Sequence, residues 1–225
     1  MTRSILLIVA WLVSGNIAAQ LKLDSGYYSR LVVPEGTYAE VMQVVLEVDT
    51  LIMEDNSSLR FTELWHRLTI NHAKLRGEVS WKGAGKPGED EGSPGENCAT
   101  LSIRVIFHEL GRLVIDTRGG AGSSGKTPKA KTGYINLARP GNGGNGGDGG
   151  DVTLTYRCLG FTPRFDKGKK NAIHFKIKGG AGGSGGFSNM GSNQYSAGSN
   201  PKISSGPQGE VGDKGRDGEV VVKEM

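Results

Sequence analysis

Short apolar stretches, separated by polar turns, follow one another from residue 31 to residue 81. Their spacing is typical of half-buried strands, and it predicts strands at residues 41–48, 50–53, 59–62, 67–70 and 78–81. The run Asp55-Asn56-Ser57-Ser58 predicts a turn. The stretches 51–61 and 68–79 resemble each other at a spacing of about 17 residues, which is compatible with the rungs of a solenoid.

After residue 82 the predicted strands alternate with glycine-rich runs. Three strands lead straight into glycine, within residues 79–85, 114–122 and 175–186. Three further strands follow glycine, at residues 101–107, 152–156 and 219–222. The repeated unit is therefore a strand, a glycine-rich run out, a glycine-rich run back and another strand. Because this unit recurs, we expect the bases of the excursions to lie side by side in one sheet.

Within these runs glycine recurs at every third position, most regularly from Gly206 to Gly218. A period of three is that of the polyproline II helix, which has no internal hydrogen bonds. Glycine lets a second backbone approach closely, so neighbouring segments can exchange N–H···O=C bonds. The pattern predicts a packed bundle, and a disordered glycine-rich fringe on a small β domain is the alternative. The glycines predicted to be structural are Gly144, Gly147, Gly183, Gly209, Gly212 and Gly215.

Together these elements predict an all-β protein, with a small β-sheet or solenoid-like sheet and a glycine-rich polyproline II helix bundle. Residues 1–19 are predicted to be a signal peptide and residues 20–82 a β-rich region. Residues 83–225 hold the strands with glycine-rich excursions, in one continuous domain with 20–82.

The composition limits the size of the core and the range of partners. Of 225 residues 37 are glycine, and apolar residues make up 36%, so one modest core is expected. The net charge of +4 comes from interspersed acidic and basic residues. No stretch combines a basic face with interleaved aromatic residues, so no nucleic-acid partner is predicted.

The N-terminus predicts export. Arg3 precedes an apolar run at residues 5–13, and Ala18-Ala19 before Gln20 is a plausible cleavage site. A membrane anchor is the alternative, but the run is short for a bilayer span, and no later segment is apolar enough to cross one. A mature chain that begins with Gln20 after Ala-Ala resembles exported proteins of Bacteroidota-type bacteria.

Cys98 and Cys158 are the two cysteines of the chain. In an exported protein they predict a disulfide. The two residues would meet if the strands that follow Cys98 and precede Cys158 run antiparallel. Two separate buried thiols are the alternative.

Two glycine motifs resemble nucleotide sites but lack the required context. Residues 120–127 match the phosphate-loop pattern G-x-x-x-x-G-K-T, yet Pro128 follows and no helical period comes after it. Residues 141–146 match G-x-G-x-x-G, yet Arg139-Pro140 precedes them and more glycine follows. We therefore predict no nucleotide cofactor.

Other candidate chemistry is sparse. Residues 146–151 resemble one copy of a calcium nonapeptide, which makes Asp148 and Asp151 weak calcium candidates; the alternative is that they keep a glycine-rich segment soluble. The histidines His66, His72, His108 and His174 are scattered at no metal-ligand spacing. Trp65, Trp81 and Tyr195 could stack on sugars, with Trp81 expected in the core and Tyr195 in a loop tip. No catalytic constellation is found, so no enzyme is predicted.

The tract from Gly206 resembles bacterial collagen-like sequence over barely fourteen residues, too few for a collagen triple helix. The separate excursions are more similar to the folded-back bundles of glycine-rich antifreeze proteins and phage adhesin tips. We expect a non-enzymatic, exported structural or adhesive protein at the bacterial surface, or an accessory subunit of an outer-membrane assembly with a protein partner in the envelope. The alternative is a glycan- or ice-binding module.

Overall fold

The computed structural model describes residues 20–128, 139–187 and 208–225. The predicted signal peptide and Tyr195 lie outside these residues. Over the described residues the chain forms strands and no α-helix, which confirms the all-β prediction. The strands are β1 (Gln20–Leu23), β2 (Tyr27–Val33), β3 (Tyr38–Val41), β4 (Val45–Met53), β5 (Ser58–Phe61), β6 (Trp65–Lys82), β7 (Thr100–Asp116), β8 (Val152–Cys158), β9 (Ala172–Lys176) and β10 (Val220–Glu224). No described segment is a helix that could cross a membrane.

All ladders between these strands are parallel, and they join the strands into one ten-stranded sheet. The sheet has two columns, and the chain alternates between them as it winds. The first column contains β1, β3, β5, the second halves of β6 and β7, and β9. The second column contains β2, β4, the first halves of β6 and β7, β8 and β10.

One cluster of buried side chains is shared by both columns. Alternate residues along β4 and along both ends of β6 point into it, as a strand period of two requires. Trp81 in the first column is fully buried, and its indole N–H contacts the sulfur of Met53 in the second column at 3.3 Å. Trp81 is therefore a core residue, as the sequence predicted.

The winding step of the first turns is longer than the sequence suggested. Tyr38 pairs with Ser58, 20 residues later, and Glu47 pairs with Thr69, 22 residues later. The expected spacing of about 17 residues was wrong, since Leu51 pairs with Ala73 rather than with Leu68. Strands predicted separately also merge, because β4, β6 and β7 each run through residues that lie between two predicted strands.

The glycine-rich runs begin and end at matched positions of the sheet. Each run leaves the first column, where β6, β7 and β9 end, and returns to the second column, where β7, β8 and β10 begin. Trp81 pairs with Ile115, and Ile115 pairs with Phe175, so the three points of departure lie side by side. This agrees with the arrangement expected from the repeated unit.

The predicted disulfide is absent, and Cys98 and Cys158 are both free. The two cysteines would meet only if the flanking strands were antiparallel, but β7 and β8 are parallel, with Leu101 paired to Val152 and Phe107 to Cys158. Cys98 precedes β7 and Cys158 ends β8, so about nine strand residues, or about 30 Å, separate the two levels. This distance is far beyond the reach of a disulfide.

Candidate functional site

The glycine-rich runs form two layers that continue the two columns of the sheet. We call residues 83–88, 117–128 and 177–187 the outgoing segments, and residues 92–99, 139–151 and 208–219 the returning segments. Neighbours within each layer share backbone hydrogen bonds: Gly119 donates to Lys178 among the outgoing segments, and Gly146 donates to Asp213 among the returning ones.

Hydrogen bonds also zigzag between the layers. Gly215 donates to the carbonyl of Gly180 (2.9 Å), Gly180 to that of Gly147 (2.8 Å), Gly147 to that of Gly120 (2.8 Å), and Gly120 to that of Glu96 (2.9 Å). Three residues further from the sheet on each segment, the same pattern links Gly212, Gly183, Gly144, Ser123 and Ser93. The backbone groups of one segment are thus satisfied by other segments, with glycine as the donor at nearly every step.

Glycine is required here because the carbonyls stand where a side chain would begin. A Cβ on Gly144 would overlap the carbonyl oxygen of Ser93, and one on Gly147 would overlap that of Glu96. The same holds for Gly183, Gly209, Gly212 and Gly215, which face the carbonyls of Ser123, Gly141, Gly144 and Gly147. All six glycines singled out from the sequence therefore lie at close backbone approaches.

The number of glycines per triplet follows the number of neighbouring segments. In the interior segment 139–151 the chain has two glycines in each triplet. Gly144 faces the segment 92–99 below it, and Gly143 faces the carbonyl of Gly183 in the segment above. The last segment, 208–219, has one glycine per triplet, and Val211, Lys214 and Asp217 occupy the places that correspond to Gly143, Gly146 and Gly149. Those side chains are exposed, and none of the segments that the structure describes covers them.

Side chains supply a second ladder within the returning layer. At every third position of segment 139–151 an Asn or Asp accepts a hydrogen bond from a backbone N–H of the last segment, at 2.7–3.0 Å. The acceptors are Asn142, Asn145, Asp148 and Asp151, and the donors are the amides of Glu210, Asp213, Arg216 and Glu219. We call these four acceptors the Asx ladder.

The two calcium candidates belong to the Asx ladder. Asp148 and Asp151 each accept a hydrogen bond at Oδ1 from a backbone amide, and the guanidinium of Arg216 lies 3.8 Å from Asp151. Over the described part of the chain, no three or more His, Cys, Asp or Glu side chains are grouped to hold a metal ion. The geometry gives these carboxylates a role in joining segments.

The phosphate-loop-like motif lies within the outgoing segment 117–128. The amides of Gly120, Gly122 and Gly125, which a phosphate loop would offer to a ligand, donate instead to carbonyls of neighbouring segments. Ser123 likewise donates to the carbonyl of Ser93 at 3.0 Å. The glycines of this motif therefore serve the hydrogen bonding between neighbouring segments.

The outer face of the outgoing layer carries small side chains. Exposed Ala84, Pro87, Ala121 and Ala181 line a shallow, open depression of about 280 Å³. Nearer the tip, the hydroxyl of Ser184 donates to that of Ser124 at 3.0 Å. We call these six residues the small-residue face.

Charged side chains lie beside both layers. Arg118 and Lys178 flank the small-residue face at its sheet end, and a bidentate pair with Asp116 compensates the charge of Arg118. In the returning layer, the last segment lies beside the Asx ladder and exposes charged residues. They are Glu210, Asp213, Lys214, Arg216, Asp217 and Glu219, so acidic residues outnumber basic ones there by four to two.

The remaining aromatic and histidine candidates are dispersed. Trp65 is 40% exposed, and the guanidinium of Arg67 lies 5.5 Å from its ring centre. His66 is buried, and its Nδ1 bonds the carbonyl of Gln43 (2.9 Å) while Nε2 accepts from the amide of Glu63 (3.0 Å). Burial lowers the pKa of His66, so its neutral ring holds two turns together.

No spacing or motif in the sequence associates His72 with His108, but the structure places them in contact. Nδ1 of His72 lies 2.7 Å from Nε2 of His108. The two are 36 residues apart, and only the register of β6 against β7 could have revealed the pair.

Comparison with known proteins finds no matching family model, no matching curated protein and no matching solved structure.

Proposed function

We propose that this chain is a non-enzymatic, exported structural or adhesive protein, acting at the bacterial surface or as an accessory subunit of an outer-membrane assembly. In this proposal the glycine-rich segments are polyproline II helices packed as a bundle. The bundle presents the small-residue face to a protein partner in the envelope.

Three observations support the polyproline II assignment. The hydrogen-bonded glycines recur at every third residue, which is the period of a polyproline II helix. The backbone hydrogen bonds of each segment go to other segments rather than along the same segment. Over the described residues, left-handed φ angles occur only at Gly36, Gly77, Gly92 and Gly160 among the glycines. With a rise of about 3.1 Å per residue, the stretch from Gly209 to Gly218 would span about 28 Å.

The observation that carries the functional proposal is the small-residue face itself. Methyl, ring and hydroxyl groups lie side by side on segments that are fixed to one another by backbone hydrogen bonds. Such a surface loses little side-chain entropy when it is covered, because alanine and proline have almost none to lose. A broad, flat contact is therefore favoured over the enclosure of a small substrate.

Circular dichroism tests the bundle. The mature chain 20–225 should have a polyproline II component that melts together with the β signal, because both parts share backbone hydrogen bonds. Loss of that component in a separate, non-cooperative step would contradict a bundle integral to the fold. Limited proteolysis gives a second measure, since cleavage throughout residues 117–128 and 139–151 in the native state would also argue against it.

A pull-down from solubilised envelope tests the function. The mature chain should retain a partner, and Ala121→Trp combined with Ala181→Trp should abolish retention by placing bulk on the small-residue face. Val211→Trp is the matched control, because Val211 is 72% exposed on the last segment, away from that face. Recovery of no partner, or equal retention by both variants, would count against docking through this surface.

The same face favours ice or glycan binding as a second candidate. Ser124 and Ser184 form a row of hydroxyls one triplet, or about 9 Å, beyond the methyl groups of Ala121 and Ala181. Ice recrystallisation inhibition or binding to a glycan array, lost in the double tryptophan variant, would support this candidate. Envelope binding that persists without either activity would favour the protein-partner proposal.

A further inference from the structure

His72 and His108 form an exposed pair on the second column of the sheet. Their nitrogens Nδ1 and Nε2 are 2.7 Å apart, their ring centres are 4.8 Å apart, and the ring planes are inclined at 60°. One edge of each ring thus points at the other, and both side chains are exposed to solvent. A nitrogen pair of this kind shares one proton or binds one cation.

Two compensating bulges place the histidines here. Between the pairs Ile70–Val105 and Ala73–Phe107, β6 contains one more residue than β7, and the added stretch includes His72. Between the pairs Ala73–Phe107 and Lys74–Glu109, it is β7 that contains one more residue than β6, and that residue is His108. Bulges redirect individual side chains and are frequent beside functional sites.

The bulges leave the core undisturbed. Ala73 and Phe107, which lie between them, are both fully buried. Beyond the second bulge, Lys74 pairs with Glu109 and Leu75 with Leu110 before the next register shift, and Leu75 and Leu110 also point inward. The local irregularity therefore changes only the outer surface, where it brings two imidazoles from different strands together.

We propose that His72 and His108 form a two-histidine site for a borderline divalent transition-metal ion of the Ni²⁺, Cu²⁺ or Zn²⁺ class. Neutral imidazole nitrogen is a preferred ligand of these ions and a poor one for Ca²⁺ or Mg²⁺. Metal–nitrogen bonds of about 2.0–2.1 Å require a nitrogen separation of about 3.3 Å in a tetrahedral site. Small side-chain rotations bring the pair to that distance, and water fills the other positions.

The neighbouring side chains leave the outward side of the pair accessible. Thr50 pairs with His72 on the adjacent strand and is half-buried, and Arg30 pairs with Thr50 one strand further along. Glu109 is held by Arg76, which also binds Glu54. With no carboxylate committed to the pair among these neighbours, we expect two protein ligands and micromolar rather than structural-zinc affinity.

Calorimetric titration of the mature chain 20–225, carrying no histidine tag, tests the site with NiCl₂ and ZnCl₂ at neutral pH. The wild type should bind one ion. His72→Ala and His108→Ala should each weaken binding by about tenfold or more, because a single imidazole cannot chelate. His174→Ala is the control, since His174 lies on β9 and pairs with Val114. MgCl₂ should give no binding signal.

Nuclear magnetic resonance gives an independent measure. Substoichiometric Ni²⁺ should broaden the ring signals of His72 and His108 before those of His66 and His174. Both substitutions are at exposed positions, so the variants should keep the wild-type melting temperature within a few degrees. Equal affinity of the wild type and either variant, or an equal loss in His174→Ala, would overturn the proposal.

Discussion

The amide of Gly180 donates a 2.8 Å hydrogen bond to the carbonyl of Gly147, which joins an outgoing segment to a returning one. Gly147 in turn donates to Gly120, so a single glycine serves as acceptor, donor and point of closest approach.

Replacing Gly147 by valine should destabilise the whole domain. The new side chain would overlap the carbonyl of Glu96 and separate segments that share hydrogen bonds on both sides. We expect a loss of about 3 kcal/mol or more in the free energy of unfolding, measured by urea denaturation. Ala121→Val, on the exposed outer face of a neighbouring segment, should cost less than about 0.5 kcal/mol. Similar losses for the two variants would mean that the segments do not pack closely in solution.

The Asx ladder should tolerate a change of charge but not the loss of an acceptor. Asn145→Ala removes the acceptor for the amide of Asp213 and should cost about 1 kcal/mol in the free energy of unfolding. Asp148→Asn keeps an oxygen for the amide of Arg216 and should cost less than about 0.5 kcal/mol. If CaCl₂ raised the melting temperature of the wild type but not of Asp148→Asn, the carboxylate would have the metal role instead.

Both cysteines should be alkylated by iodoacetamide when the protein is unfolded without any prior treatment with a reductant. Burial raises the pKa of Cys98 to about 11, and its Sγ–H donates to the carbonyl of Thr117 at 2.6 Å. Native Cys98 should therefore be alkylated slowly by iodoacetamide at pH 8. A mass spectrum with the two residues joined would contradict this expectation.

The same thiol makes stability depend on alkaline pH. A thiol whose folded pKa is raised stabilises the fold fully below its ordinary pKa near 9, and this contribution is lost as the pH rises through about 11. The wild type should lose at most about 2–3 kcal/mol of unfolding free energy over this range through Cys98. Cys98→Ala should have a correspondingly flatter profile between pH 9 and pH 11, measured by urea denaturation.

His66 should give the opposite dependence in mild acid. Its pKa is lowered by burial, so the unfolded chain takes up the proton first, and stability falls as the pH drops below the ordinary histidine range near 6.5. His66→Gln can still donate to Gln43 and accept from Glu63 without titrating. Its urea midpoint should change less than that of the wild type between pH 7.5 and pH 5, and parallel profiles would exclude His66 as the cause.

The strands and the three excursions could be predicted because their signals are local. Strand β8 was predicted almost to the residue, since Val152 to Arg157 alternates and glycine precedes it. The regular step of glycine likewise located Gly144 and Gly147 at close approaches.

Pairing could not be predicted, because it depends on partners far along the chain. From β6 onward the excursions interrupt the winding, so Arg104 pairs with Thr155 and no constant period remains. The parallel register separates Cys98 from Cys158 and brings His72 next to His108. Parallel strands are not joined by short turns, so no turn motif in the sequence indicates this register. The bulges that expose both histidines have no sequence signature of their own.

The change from two glycines per triplet to one also limits how many glycine-rich segments can pack against one another. Val211, Lys214 and Asp217 stand where a further closely packed segment would need glycine, so their side chains obstruct such packing on the open side of the last described segment. Evolution could lengthen the protein by inserting another pair of outgoing and returning segments, with two glycines per triplet, before this last segment. The length of the segments, their number and the loops that join them can then evolve separately, as in a repeat protein with a capping repeat.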